Sequence, residues 1–297
     1  MMDALIIGGG PAGATAAVYI ARAGFKATII YKDYGALEKA ERVDNFYGFT
    51  KISGKSLVEK GLRQARQAGA KTVRGEVVGI SKGEKIIVKT TSTAYESKTV
   101  LLAVGATRRT PNIPGLGDYE GRGISYCAIC DGFFYRGKNV AVLGNGAYAL
   151  HEVEDLLPLV SSVTLLTNGK EPTVNFPDSV EIRTEKIREI IGVEKSQLLS
   201  KTPAKILDGV IFETSEKLQV SGLFVAEGIA GSSELARKIG AALDSQNSVK
   251  IDNEQCTTVQ GLWAAGDCTG GLKQIVKAAH EGAQAGISII NFLRGNF

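Results

Sequence analysis

Ala4-Leu5-Ile6-Ile7-Gly8-Gly9-Gly10-Pro11-Ala12-Gly13 is an apolar run that breaks into glycines and then into an alanine-rich stretch reaching Ala23. Four consecutive apolar residues read as a buried strand, and the alanines after Pro11 as a helix stopped by Gly24. Ala27 to Tyr31 reads as a second strand. The result is a β-turn-α-β unit carrying G-x-G-x-x-G at Gly8, Gly10 and Gly13. The first glycine makes the tight turn, the second lets a pyrophosphate approach the backbone, and the third packs helix on strand. The helix N-terminus then faces the phosphates. The acid that usually ends the second strand and bonds a ribose hydroxyl is missing. Tyr31 and Lys32 stand there, and the first acid is Asp33.

The same pattern returns further on. Asn139–Leu143 reads as a strand, and Gly144-Asn145-Gly146-Ala147-Tyr148-Ala149 as a turn of the G-x-G-x-x-A form. A helix follows from about Ala147 to Leu157, which Pro158 kinks or ends, and Ser162–Thr167 is the next strand. The fold class expected is therefore α/β, with two nucleotide-binding, Rossmann-like, three-layer domains. The bland reading of the second turn is a relic that packs well and binds nothing.

Other elements fill the gaps. Lys32–Ser53 is a long loop without periodicity, centred on Val43-Asp44-Asn45-Phe46-Tyr47-Gly48, and such loops are usually functional. A helix is expected over Lys55–Ala68, and strands over Val73–Ile80, Lys85–Thr90 and Thr99–Val104. Pro111-Asn112-Ile113-Pro114-Gly115 is a stiff connector marking a domain boundary. Val180–Glu227 reads as short strands with polar turns, and Ser232–Leu243 as a helix. Gly261–Asp267 is a buried strand running into a Gly-Asp turn, and Lys273-Gln274-Ile275 opens a helix to about Arg294. An acid at such a turn can bond a ribityl or ribose hydroxyl, and the helix N-terminus adds positive potential.

Tyr126-Cys127-Ala128-Ile129-Cys130-Asp131-Gly132 carries two of the four cysteines, three apart and followed by an acid. The spacing lets the sulfurs meet in a small disulfide ring, especially at a helix N-terminus, where dipole and free N–H groups stabilise a thiolate. Asp131 is placed to move a proton on or off a departing thiolate. Half of a zinc site is the alternative, but a structural zinc wants four ligands. Cys256 and Cys268 lie far off without pair spacing, and the only histidines are His151 and His280. The two isolated cysteines read as small buried hydrophobes.

At 297 residues, 44 % hydrophobic and 22 % charged, the chain suits two domains with proper cores. A net charge of +4 without a dense basic run is no nucleic-acid signature, Arg108-Arg109 being only a pair, and it leaves room for an acidic protein partner. With no membrane-length apolar run and no secretory leader, a cytoplasmic location is expected. In a reducing cytosol a C-x-x-C pair is more often catalytic than structural.

In their order along the chain, Gly8–Gly13, Val43–Gly48, Ala103–Ala106, Ile113–Gly115, Cys127–Gly132, Gly144–Ala149, Ala264–Asp267 and Gln274 resemble the low-molecular-weight thioredoxin reductase family. The resemblance implies non-covalent FAD and a homodimer. It implies a discontinuous FAD domain, 1–110 plus 245–297, with a smaller dithiol-carrying domain, 111–244, inserted in it. It implies that Cys130 reacts with the flavin ring, that Cys127 exchanges with the disulfide of thioredoxin, and that Asp131 handles the proton. FAD contacts are expected at Gly8, Gly10, Pro11, Ala12, Gly13, Asn45, Ala103, Gly105, Gly266, Asp267, Gln274 and Ile275.

The departures from the family matter as much. Relatives using NADPH carry a His-Arg-Arg run and a further arginine after the second strand of the inserted domain, and these grip the 2′-phosphate. Here the place reads Thr167-Asn168-Gly169-Lys170-Glu171-Pro172, with no arginine until Arg183. The Gly-Gly-Gln-Leu of the loop after the second FAD strand is reduced to Gly35-Ala36-Leu37. The chain thereby resembles relatives reduced by ferredoxin. The expected function is a flavoprotein disulfide reductase acting on thioredoxin, its electrons coming from a ferredoxin-like donor. The alternatives are an NADH-dependent reductase, an FAD-dependent dithiol oxidase, and a non-enzymatic flavin redox sensor.

Overall fold

The computed structural model describes residues 2–105, 111–197, 200–227 and 231–296, with backbone alone for Cys130, 195–197 and 200–204. The first half of the chain forms β1 (Met2–Ile7), α1 (Pro11–Arg22), β2 (Ala27–Tyr31), α2 (Gly54–Gln67), β3 (Lys71–Arg74), β4 (Val77–Lys82), β5 (Ile86–Thr90) and β6 (Ala94–Leu102). Then come β7 (Ile124–Ser125), α3 (Ala128–Asp131), β8 (Asn139–Leu143), α4 (Ala147–Leu156), β9 (Ser162–Leu166), β10 (Glu181–Arg183), β11 (Ile187–Gln197), β12 (Ser200–Phe212), β13 (Lys217–Gln219) and β14 (Gly222–Val225). The chain closes with α5 (Ser232–Lys238), β15 (Leu262–Ala264) and α6 (Ile275–Leu293).

These elements divide into two units. One comprises Met1–Arg108 and Gly231–Phe297; the other, Arg109–Ala230, lies between its two segments. In the first, the sheet order is β3-β2-β1-β6-β5-β4, with β15 beside β6. β1, β2, β3, β6 and β15 run parallel, while β4 and β5 are antiparallel additions. A central parallel strand is buried on both faces, which is why β1 is apolar throughout rather than alternating: Leu5 and Ile6 have no exposure. α1 packs against α2 and α6, and one core joins Ile6, Ile29, Leu62, Leu101, Trp263 and Ile289. α2 starts where Ser53 accepts a hydrogen bond from the N–H of Ser56.

The second unit holds a parallel sheet of order β10-β9-β8-β14-β7 and an antiparallel sheet of order β11-β12-β13. Its core runs through Leu143, Val210, Phe212 and Leu223. The α/β class with Rossmann-like domains is as expected from the sequence.

Several elements differ from expectation. Val73–Ile80 is two strands, parted at Gly75 and Glu76. Val180–Glu227 is not only short strands: β11 and β12 are 11 and 13 residues long and pair through three register shifts. α5 stops at Lys238, capped by Ile239. It contacts β4 and β6 of the first sheet, so the second crossover falls at 231 and not at 245. The expected boundary at 110/111, Ala106 at the end of the Ala103–Ala106 motif, and the Arg108-Arg109 pair touch residues outside those described.

Candidate active site

In the first unit the carboxyl ends of β1, β6 and β15 lie side by side, and β1 and β6 flank the point where strand order reverses. Ligands of open α/β sheets bind at such a point. Gly8 ends β1 with φ +114, and a Cβ there would sit 2.2 Å from the carbonyl oxygen of Ala103. Gly13 is glycine for packing, since a Cβ would fall 2.0 Å from the Gly8 oxygen. Gly10, the N-cap of α1, is different: a Cβ there meets nothing within 4 Å. The chain thus leaves a space at the second glycine, directly before a helix whose first N–H groups have no intrahelical acceptor. That arrangement fits a pyrophosphate. Asp33, the first acid after β2, accepts the N–H of Gly35 at 2.9 Å. Ala103 closes the β1 end through its N–H to Ile7 O at 2.8 Å, and Gly105 turns away at φ +84.

Gly266, at φ +91, and Asp267 form the turn after β15, packed against Ala12. The Asp267 carboxylate makes no hydrogen bond among the described residues. The turn itself is pinned by two side chains that sequence reading missed. Glu281 Oε2 accepts from the Gly266 N–H at 2.7 Å and the Thr269 hydroxyl at 2.9 Å. Lys277 Nζ donates to the carbonyls of Gly266 and Gly270, both at 2.8 Å, and lies 3.0 Å from Glu281 Oε1. Their i,i+4 spacing on the stripe that also buries Ala278 and Ala285 was the available signal. The N-cap of α6, Gln274, accepts from the Asn45 amide at 3.1 Å, so the aromatic loop and the start of α6 meet, with Ile275 opening the helix. Around Asn45 the loop is closed by a Val43–Ile52 bridge, by Asp44 paired with Arg42, and by stacked Phe46 and Phe49.

In the second unit Cys127 follows edge strand β7, is 2 % exposed and is disulfide-bonded; Cys256 and Cys268 are free. The side chain of Cys130 is outside the described residues. The expected helix at this point is one turn only, closed by the Asp131 N–H on the Cys127 carbonyl at 3.1 Å. Nor are its leading N–H groups free: Cys127 N donates to Ser125 Oγ at 3.1 Å, and Ala128 N to Glu152 Oε2 at 2.6 Å. Two of the N–H groups at the start of this turn are therefore already bonded to side chains. Ser125 in turn donates to Asp131 Oδ2 at 2.7 Å, which fixes the acid beside the cysteine turn. Tyr135, edge-on to Phe224 at 5.3 Å, has its phenol pKa raised by burial and by the neighbouring Asp131 charge. Ile129, Phe133 and Phe134 are exposed at 53 %, 67 % and 69 % around this turn. Burial raises the thiol of Cys268 from 9.0 to about 11, in keeping with a small core residue.

At the second glycine turn, Asn145 is tied to the segment after β9. The N–H and hydroxyl of Thr173 donate to the Asn145 carbonyl at 2.7 and 3.1 Å, and the Asn145 amide donates to Glu171 O at 2.8 Å. Asn168 caps the Ile187 N–H at 2.9 Å, and Lys170 is paired with Glu227. The helix that starts there, α4, ends before Pro158 and is not kinked by it.

The family model described as pyridine nucleotide-disulphide oxidoreductase matches residues 2–282. The chain belongs to that family. It is 30 % identical to the thioredoxin reductase of Aquifex aeolicus, over 99 % of this chain and 94 % of the relative. Among solved structures it is similar to the atypical thioredoxin reductase TRi of Desulfovibrio vulgaris Hildenborough, at 34 % identity, TM-score 0.89 and 99 % of each chain. It is also similar to a ferredoxin-flavin thioredoxin reductase of Clostridium acetobutylicum, at 28 % identity, TM-score 0.71, 99 % of this chain and 98 % of that one. The chain is a thioredoxin reductase-like flavoprotein disulfide reductase, and its cofactor is FAD. No described helix is long and apolar enough to cross a membrane.

Proposed function

We propose that the protein reduces the disulfide of a thioredoxin with electrons from a one-electron, ferredoxin-like carrier rather than from NADPH. The observation that carries this reading is the missing phosphate clamp after β9. Where a 2′-phosphate clamp belongs, Thr167–Pro172 offers one cation, Lys170, and it is already paired with Glu227. Each charge-assisted bond to a phosphate is worth roughly 1.5–3 kcal/mol, so two or three missing bonds weaken NADPH by orders of magnitude. The likeness to a ferredoxin-flavin thioredoxin reductase supports the same reading.

FAD, when bound, supplies reversible two-electron chemistry and can be charged one electron at a time. The residues that would hold it are the Gly8–Gly13 turn with Pro11 and Ala12, Ala103 and Gly105, Asn45 with Gln274 and Ile275, and the Gly266–Asp267 turn. Asp267, whose carboxylate makes no hydrogen bond among the described residues, offers an acceptor to a ribityl hydroxyl. In the second unit we assign the redox disulfide to Cys127 and Cys130. Its opening takes up two electrons and two protons, and Asp131, steadied by Ser125, handles a proton at the cysteine sulfur. Cys127 is assigned the exchange with thioredoxin, and the exposed apolar group of Ile129, Phe133 and Phe134 suits a protein surface rather than a small disulfide. With Cys127 only 2 % exposed, exchange requires its sulfur to be uncovered. A homodimer in the cytoplasm completes the proposal; exposed Tyr19 on α1 and Ile287 on α6 give an apolar start to an interface.

The test is anaerobic mixing of the oxidised, FAD-loaded protein with NADPH, NADH or reduced ferredoxin, followed by thioredoxin turnover at matched donor concentration. Flavin bleaching and turnover with ferredoxin, and neither with NADPH, are expected. Brisk turnover with NADPH overturns the donor assignment.

A further inference from the structure

Glu152 is 1 % exposed on α4 and takes no part in the scheme above. Its Oε2 accepts the N–H of Ala128, the residue directly after Cys127, at 2.6 Å. That N–H belongs to the peptide that joins Cys127 to the helical turn, part of the positive end that favours a thiolate there. Here it is taken by the Glu152 carboxyl, which in its ionised form brings a negative charge to the cysteine's own peptide. Both effects disfavour thiolate.

We propose that Glu152 is a positioning residue of the redox centre: it ties α4 to the cysteine turn and, by holding the Ala128 N–H beside a negative charge, keeps the disulfide hard to reduce and the dithiol strongly reducing. The inference rests on the reading of Cys127 as half of the redox disulfide. Reduction consumes two electrons and two protons and gives two thiols. A thiol that ionises at working pH stabilises the reduced state and raises the potential, and Glu152 opposes that ionisation. A strongly reducing dithiol is what a donor to thioredoxin needs.

Other titratable groups surround the turn. Asp131 is bonded to Ser125, and His151 Nε2 lies 3.7 Å from Asp155. The Tyr126 hydroxyl donates to Glu120 at 2.5 Å, the Tyr148 hydroxyl donates to the Tyr126 carbonyl at 3.2 Å, and Tyr135 lies near Asp131. A Glu152→Gln variant changes none of these residues, and its amide oxygen can still accept the Ala128 N–H while the charge is gone.

The experiment uses the full chain loaded with FAD. The oxidised fraction of Cys127 is read by alkylation and mass after equilibration in dithiol–disulfide buffers, and the thiol pKa by alkylation rate of the reduced protein against pH. For Glu152→Gln the equilibrium constant for reduction should rise about tenfold, close to 30 mV upward, and the alkylation midpoint should move to lower pH by about one unit. Wild-type values for both quantities in a folded Gln variant overturn the proposal. If the Gln variant does not fold, Glu152→Asp decides, since its shorter reach draws the carboxylate off the N–H: a smaller shift in the same direction supports the proposal, and no shift overturns it. A wild-type chain whose Cys127 does not cycle at all overturns the underlying reading, and this inference with it.

Discussion

Gly10 and Gly13 sit three residues apart and are glycine for opposite reasons. At Gly13 a methyl group has nowhere to go, because the Gly8 carbonyl would be 2.0 Å away. At Gly10 a side chain has room in the protein and would occupy the space that fits the pyrophosphate. The two substitutions should therefore separate folding from cofactor binding. Gly13→Ala should lower stability by about 1–3 kcal/mol, as overpacked sites do. Gly10→Val should keep the melting temperature of the apoprotein within a few degrees and yet leave the protein colourless after incubation with FAD. Differential scanning fluorimetry on apoprotein, together with the flavin absorbance, reads both. A yellow Gly10→Val protein would remove the pyrophosphate from this turn. The roles of these glycines were legible in the sequence because a motif fixes each by its offset. The roles of Ser125 and Glu152 were not: a serine two residues before a cysteine and a glutamate on a helix have no offset rule, and only the folded chain brings them to the Cys127 peptide.

At the scale of the element, α6 does more than cover the sheet. Lys277 and Glu281, with side chains 16 % and 11 % exposed, clamp the Gly266–Gly270 turn from one turn to the next of the helix. Removing one partner of such a pair leaves an uncompensated charge, at a cost of about 3 kcal/mol. Lys277→Met should destabilise the first unit by that order. It should also loosen FAD about tenfold, close to 1.4 kcal/mol, by freeing the Asp267 turn. Equilibrium unfolding and a titration of apoprotein with FAD check the two effects separately. FAD affinity unchanged in a destabilised variant would confine the pair to folding. β2 and β8 match the sequence reading residue for residue, and β1 and α1 do so within two residues, because apolar runs bounded by Gly and Pro are local signals. The long β11–β12 hairpin was not legible. Its three register shifts break the period-two pattern, and Gly192, Pro203 and Gly209, residues common in turns, lie within its strands.

For the molecule as a whole, the two glycine turns have gone separate ways. The first keeps an open space at Gly10; at the second, Glu171 and Thr173 are hydrogen-bonded to Asn145. A pyridine nucleotide needs the second turn open, whereas a one-electron protein donor needs only an approach to the flavin edge and a complementary surface. The chain carries a net charge of +4, modest but of the right sign for an acidic carrier. If that charge steers the encounter, the second-order rate of flavin reduction by reduced ferredoxin should fall steadily between about 0.05 and 0.5 M salt, as the Debye length shrinks from about 14 to 4 Å. The rate of dithiol exchange with thioredoxin, measured on pre-reduced protein, should change far less if the apolar group around Phe133 and Phe134 dominates that contact. Stopped-flow traces at 450 nm across a salt series measure the first rate, and single-turnover thioredoxin reduction the second. A flavin-reduction rate independent of salt would leave the ferredoxin-like donor without its electrostatic support, and the NADH-dependent reading would then have to be weighed again on the open or closed state of the Asn145 turn.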